Sequence, residues 1–285
     1  MDGIVEGADG RSIGFATYGR SDGTPVVWCH GGPGSRMEPA HLRDEAAEAD
    51  LLLVGIDRPG YGNSTPNPGR TIAGWLFDAL AVVDDLGLGS FFTVGVSTGG
   101  AYALALAALV PRRVLGVVAC CSMTDMRWEE ARCTMSRPHC HDVWDAPDRE
   151  SALAAAEFAH GKRGSKLRGD GIREVLAPSD AALFRDPAWI RDAEAAFSTM
   201  FAQGLIGYTD DRLADGGGWT TFDVTAISCP VTVLHGRMDK MCHESNALHT
   251  AEIVPNARLD LYDDLGHFSI ETKVVPVISH MLAGL

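Results

Sequence analysis

The residues best suited to chemistry are Gly95-Val96-Ser97-Thr98-Gly99-Gly100, a G-x-S-x-G pattern. It stands between an apolar run, 91–96, that reads as a strand and an Ala- and Leu-rich stretch, 98–109, that reads as a helix. A chain turning that sharply needs small residues at 95 and 99, and it holds Ser97 in strained geometry with the hydroxyl exposed. The N-terminus of the following helix favours negative charge developing nearby. A free serine hydroxyl is a poor nucleophile near neutral pH, so this reading requires a general base and a group that orients it. His267, in Asp264-Leu265-Gly266-His267-Phe268, follows the last predicted strand, and Asp239, in Gly236-Arg237-Met238-Asp239-Lys240, follows the strand before it. Both loops fall at the carboxyl edge of the sheet, where they can reach Ser97. Asp125, just after the predicted strand 114–121, is the rival acid, while Asp263 and Asp264 lie too close to His267 in sequence.

Acyl transfer through a tetrahedral intermediate puts charge on the carbonyl oxygen, and backbone amides fixed in advance can stabilise it. The loop His30-Gly31-Gly32-Pro33-Gly34-Ser35 follows another predicted strand and supplies such amides. Gly32 and Thr98 are the expected donors, with Gly31 as the alternative, since Pro33 has no N–H. Losing one donor typically costs about 10²–10³ in turnover. His30 reads as a buried brace for this loop. Serine, histidine, aspartate and two amides suffice for acyl transfer, so no metal or organic cofactor is expected.

The elements that must position these residues follow from patterning. Buried strands are expected at 25–29, 51–56, 91–96, 114–121, 231–235 and 258–262, with crossover helices at 71–86 and 98–109 and a closing helix at 270–282. The first residues fit an antiparallel entry instead, strands 3–6 and 12–18 joined by Gly7-Ala8-Asp9-Gly10. The fold class is α/β, a mostly parallel doubly wound sheet. Between 123 and 225 strand-like runs give way to Ala-, Glu- and Asp-rich helical stretches, notably 151–160 and 188–202. The organisation expected is a core in two parts, 1–122 and 226–285, carrying an inserted helical cap, 123–225. The glycine-containing stretches 161–165 and 215–218 read as connecting loops within the cap, with hinge movement as the other reading.

Composition narrows the partners. A net charge of −14 repels phosphate backbones and anionic membrane surfaces, so the expected partner is a small-molecule substrate, with neither nucleic acid nor membrane. No apolar stretch reaches the roughly 20 residues that span a bilayer. The opening Met1-Asp2-Gly3-Ile4-Val5-Glu6 lacks the basic segment and apolar run of a secretory signal, which gives a cytoplasmic expectation. Seven scattered cysteines suit reduced thiols. Cys133, His139, Cys140 and His141 carry metal-binding chemistry without a second spaced ligand pair, and read as a mixed surface segment. Patterning does not fix the oligomeric state.

The segments at 30–36, 57–64 and 95–100, together with His235-Gly236-Arg237-Met238-Asp239 and Gly266-His267, resemble the α/β-hydrolase superfamily. The order Ser, Asp, His is that superfamily's order. The resemblance implies Ser97 as nucleophile, Asp239 as acid and His267 as base, and it covers most of the chain outside the cap. Ser97 argues against similar epoxide hydrolases and haloalkane dehalogenases, which use Asp at the elbow. Phe268 argues against plant-type hydroxynitrile lyases, which usually have Lys there. The expected reaction is hydrolysis of a carboxylic ester or lactone on a small, fairly apolar substrate. Met123, Met126, Trp128, Trp144, Trp189, Phe197, Met200 and Phe201 are candidate pocket residues. Three alternatives stay open. One is a proline iminopeptidase-like amidase holding an ammonium with Glu129, Glu130 or Glu194. Another is a carbon–carbon bond hydrolase using Arg36, Arg127 or Arg132. The third is a ligand sensor on the same fold.

Overall fold

The protein was analysed as a computed structural model that describes residues 1–135, 139–162, 164 and 176–284. The strands are β1 (Asp2–Glu6), β2 (Ser12–Gly19), β3 (Thr24–Cys29), β4 (Leu51–Ile56), β5 (Phe91–Val96), β6 (Val114–Cys120), β7 (Val231–Gly236) and β8 (Ala257–Tyr262). They form one sheet in the order β1-β2-β4-β3-β5-β6-β7-β8. The β1–β2 and β2–β4 pairings are antiparallel and the remaining ones parallel, as the entry hairpin and crossover helices require.

Both faces of the sheet are covered, and the strand pleat sorts the side chains. Val27, Cys29, Leu52, Val54 and Ile56 face a core shared with α2 (Leu76–Asp85), α3 (Gly99–Leu109) and α10 (Glu244–Ile253). Val26, Trp28, Leu51, Leu53, Phe92 and Val94 face α1 (Arg43–Glu48) and α11 (Val274–Leu282). Each such fully buried aliphatic or aromatic side chain contributes about 1.5–3 kcal/mol. Two expected helices are shorter than their apolar patterns. The 71–86 stretch opens as a 3-10 turn, Ala73–Trp75, and the closing stretch opens as Ser269–Lys273. In the latter case Pro276 sits in the first turn of α11, where its missing N–H costs nothing.

Between β6 and β7 the described residues form helices and no strand: α4 (Glu129–Cys133), α5 (His139–Trp144), α6 (Arg149–His160), α7 (Pro178–Leu183), α8 (Pro187–Met200) and α9 (Ile206–Asp215). Of the 161–165 connection, residues 163 and 165 lie outside the described residues. The 215–218 connection is packed in place, because Gly218 stands against Asp125, whose Oδ1 accepts the Trp219 N–H at 3.1 Å. No helix among the described residues is long and apolar enough to cross a membrane.

The insertion is tied to the sheet by buried charge. Asp211 of α9 accepts from Arg58 at 2.7 Å, from Arg70 at 2.6 Å, from Tyr61 at 2.8 Å and from Tyr102 at 3.0 Å, and both guanidiniums are almost wholly out of solvent. Burial opposes the Asp211 charge, yet Arg58 and Arg70 override it and hold the carboxyl far below the ordinary carboxylate range. A carboxyl whose folded value is depressed stabilises the fold fully above its unfolded value and less as pH falls through that value toward the folded one. Stability should therefore erode below about pH 4. Asp211→Ala, which strands two buried guanidiniums, should cost about 3–5 kcal/mol in chemical denaturation. A loss within 1 kcal/mol would show the ion pairs to be dispensable.

Candidate active site

The turn after β5 adopts the strained geometry expected of it. Ser97 has φ 53°, and the neighbouring positions leave no room for a side chain. A Cβ on Gly95 would stand 2.3 Å from the Gly99 carbonyl oxygen, and one on Gly99 would stand 1.9 Å from that of Cys29. Ser97 donates its N–H to Cys120 O at 3.0 Å and accepts from Gly100 and Met123, so the backbone around the strained residue is pinned on both sides.

His267 and Asp239 meet as expected. The His267 Nδ1 lies 2.7 Å from Asp239 Oδ2, and the other carboxylate oxygen accepts the N–H groups of Met241 at 2.7 Å and Cys242 at 2.9 Å. Burial opposes the imidazolium of His267, but the Asp239 charge prevails and raises its pKa well above the usual histidine value. Burial likewise opposes the Asp239 charge, which His267 restores, leaving its pKa lowered. Asp125 is engaged elsewhere, accepting from Arg127 and from Trp219. Ser97, His267, Gly31, Gly32 and Pro33 line one cavity.

The loop after β3 separates the two glycine candidates. Gly31 is fully committed: its N–H reaches the Glu38 carboxylate at 3.0 Å, and its carbonyl accepts from Arg58 at 2.8 Å. His30 Nε2 accepts the Arg58 N–H at 3.1 Å, which leaves Nδ1 as the donor to the Gly31 carbonyl at 2.7 Å. His30 is thus the buried brace expected, kept neutral chiefly by burial. Among the described residues the N–H groups of Gly32 and Thr98 have no acceptor. They are also neighbours, since a Cβ on Gly32 would come within 2.7 Å of Thr98 Oγ1. Arg212 of α9, itself buried, donates to Thr98 Oγ1 at 2.5 Å and pairs with Asp215.

Several of these supports are absent from the sequence reading. Asp180 of α7 accepts the backbone N–H groups of His267, Phe268 and Ser269 at 3.1, 3.1 and 2.8 Å, fixing the loop that carries the imidazole. A Ser or Asp before a helix is a local signal, but an acid reaching a loop almost ninety residues away has none. The cavity wall differs as well. Trp189, Phe197 and Met200 line it together with Phe268 and Met241. By contrast, Trp128 stacks on His249, Trp144 bonds Asp215, Met126 packs in a separate cluster, Phe201 covers Gly164, and Met123 lies behind Thr98.

The polar wall is acidic: Glu38, Asp192 and Glu271, with His41, line the cavity, and among the described residues no Lys or Arg does. Burial pushes the Glu38 carboxyl up to about 6, and burial with the neighbouring acids raises Glu271 well above the usual glutamate value. The basic candidates are paired elsewhere, Arg36 with Asp57 and Asp2, Arg127 with Asp125, and Arg132 with Asp145. Glu129, Glu130 and Glu194 do not line the cavity. The Cys133–His141 group is not assembled among the described residues: Cys140 meets Tyr208, the His141 Nε2 meets Arg132 O, and the side chain of His139 lies outside the description.

Known proteins resemble this chain in sequence and in fold. Residues 24–136 match the family described as alpha/beta hydrolase fold. The 2-hydroxymuconate semialdehyde hydrolase of Pseudomonas putida is 27% identical, over 91% of this chain and 88% of that protein. A probable proline iminopeptidase of Leptolyngbya boryana is 23% identical, over 94% of this chain and 88% of that protein. Among solved structures, the enol-lactonase of Burkholderia xenovorans LB400 aligns with a TM-score of 0.72 at 16% identity, over 99% of this chain and 100% of that one.

The His267–Asp239 pair gives a test that needs no substrate. The His267 ring should titrate with a midpoint above the free-histidine value of about 6.5, remaining protonated where an ordinary histidine has released its proton. Asp239→Asn removes the charge that sustains this and should bring the midpoint below that value, where burial alone would place it. Imidazole NMR on both proteins reads the difference, and equal midpoints would contradict the pairing.

Proposed function

Because the chain belongs to the α/β-hydrolase superfamily, we propose that it hydrolyses carboxylic esters or lactones of small, largely apolar compounds through an acyl-enzyme on Ser97. The observation that carries this reading is the one cavity shared by Ser97, His267 and Gly32, with an apolar wall from α8 and, among the described residues, no Lys or Arg. In the proposed reaction Ser97 Oγ attacks the carbonyl carbon while His267, once it has released its own proton, takes that of Ser97, and Asp239 holds the imidazole in register. The N–H groups of Gly32 and Thr98 receive the oxyanion. His267 then returns the proton to the leaving alcohol, and water repeats the sequence to release the acid. Residues 123–225 act as a helical cap between the core parts 1–122 and 226–285, and α8 supplies the apolar wall through Trp189, Ala196, Phe197 and Met200.

The cavity's charge bears on the alternatives. A carbon–carbon hydrolase acting on acidic diketones needs cations near its substrate, and this wall presents carboxyls instead. A second reading, cleavage of an aminoacyl ester or amide, is favoured by Glu38 and Glu271 beside the proposed nucleophile. Glu38 Oε2 and Ser97 Cβ both lie within 4 Å of the point where a Cβ on Gly31 would stand.

Short p-nitrophenyl esters should be turned over by the wild type, and Ser97→Ala should reduce the rate by about 10⁶. Undiminished hydrolysis in Ser97→Ala would falsify the acyl-enzyme. A p-nitrophenyl ester whose acyl group ends in a carboxylate should be a poorer substrate than the uncharged ester of equal length. An aminoacyl p-nitroanilide cleaved faster than every ester would move the assignment to the second reading.

A further inference from the structure

Behind the His267 imidazole lies a thiol that hydrolysis does not use. Cys121, just past β6, has φ 40°, and its Sγ donates to the His267 carbonyl oxygen at 3.4 Å. Its sulfur, a carboxylate oxygen of Asp239 and a ring nitrogen of His267 lie within 4.8 Å of one another, and all three residues are buried. Among the described residues no other set of three His, Cys, Asp or Glu side chains converges in this way. The other cysteines offer no equal: Cys133 is exposed, Cys140 contacts Tyr208 and Cys242 donates to Ser122 O.

The donors are one sulfur, one imidazole nitrogen and one carboxylate oxygen. Around a tetrahedral zinc-group ion, with bonds of about 2.0–2.3 Å, such atoms stand roughly 3.3–3.8 Å apart. The set is therefore within about an ångström of ligating geometry. Thiolate and carboxylate together neutralise a divalent ion, and the thiolate selects a thiophilic one over magnesium or calcium. Of the three, His267 lines the cavity, so an ion entering there meets the imidazole first, with Cys121 and Asp239 buried within 4.8 Å of its ring nitrogen.

We propose that Cys121, Asp239 and His267 form an inhibitory site for a thiophilic divalent cation of the zinc group. Binding forms a metal–sulfur bond as the Cys121 thiol proton leaves to solvent, with no change of oxidation state. If the ion takes Nδ1 of His267, it replaces the bond to Asp239 and leaves the ring proton on Nε2, which can then accept nothing from Ser97. If it takes Nε2, it blocks the base directly. Either arrangement stops the chemistry. The inhibition, though not the binding, rests on the hydrolase reading above.

Cadmium is the probe, titrated into the chelator-treated full chain, with the ultraviolet cadmium–thiolate band and calorimetry reporting binding and a p-nitrophenyl ester reporting turnover. One ion per chain is expected, with activity lost at saturation, restored by EDTA and unaffected by magnesium. Cys121→Ser keeps a hydroxyl donor for the His267 carbonyl and should retain basal hydrolysis. It should lose the band and weaken inhibition by at least about tenfold, a loss that removal of a mere outer-shell partner can already produce. Cys133→Ser, at the exposed thiol, should behave as wild type. Inhibition of Cys121→Ser as strong as that of wild type, or a band that follows Cys133, overturns the site. If no ester is turned over, the band and stoichiometry still decide the metal site, and only the hydrolase reading fails. If Cys121→Ser does not fold, Asp239→Asn takes its place in the binding measurement, where unchanged affinity overturns the proposal.

Discussion

The active-site geometry depends first on the buried pairing of Arg58 with Asp211. Arg58 stands at the end of the sheet next to the 30–35 loop, and its guanidinium holds the carbonyl oxygens of His30 and Gly31 while its charge is met by Asp211. Those two carbonyls are held by a cation, and among the described residues the Gly32 N–H that follows them has no acceptor. Isolated, a guanidinium with no solvent exposure would be prohibitively costly, so the loop can keep this shape only while α9 delivers the carboxylate. Tyr61 and Tyr102 complete the anion's shell, and Tyr102 stands on α3, the helix that follows Ser97. One ion pair thus joins the 30–35 loop, the helix that follows Ser97 and the insertion.

The same logic repeats at the other loops. Asp180 from α7 grips the backbone of 267–269, and Arg212 from α9 grips Thr98. Each contact comes from the stretch between β6 and β7, so that stretch does more than roof the cavity. A cap that merely lay over the site could lift without disturbing the loops beneath. Here lifting α7 or α9 would strand charges that are buried only because they are paired. By contrast α8, which contributes the apolar wall, has as its charged tie to the core the Arg43–Asp192 pair, whose arginine is partly open to solvent.

How far the sequence carries follows from which interactions are local. The elbow at 95–100, the loop at 30–35 and the His267 loop each join a strand to a helix or turn, so strand-turn-helix patterning places them at one sheet edge. Asp239 and His267 then meet because β7 and β8 are neighbours in parallel register. The supports are a different matter. Asp210, Asp211 and Arg212 are consecutive, and a run of three charges in a helix reads as a solvated face, yet all three are buried. The partners of Asp210 and Asp211, and Thr98 beside Arg212, stand far off in sequence and leave no trace in helical periodicity; only the Arg212–Asp215 pair has helical spacing. The pocket shows the same limit: apolar residues of the insertion were legible as buried, but only the fold decides that Trp189 faces the cavity while Trp128 stacks on His249.

These non-local charges also give the site a direction. On the side of the proposed oxyanion donors lie two free amides and, behind Thr98, the Arg212 guanidinium. On the side of His267 lies Asp239, while Glu38, bound to the Gly31 N–H, and Glu271 belong to the wall of the same cavity. Attack by Ser97 would create an oxyanion on the first side and an imidazolium on the second, so the fixed charges already point along the dipole that the reaction develops. Burial raises the pKa of both Glu38 and Glu271, which lessens the negative charge these carboxyls would otherwise place in the wall facing the imidazolium. Their burial therefore limits how strongly the wall opposes return of the proton from His267 to the leaving group in the proposed reaction.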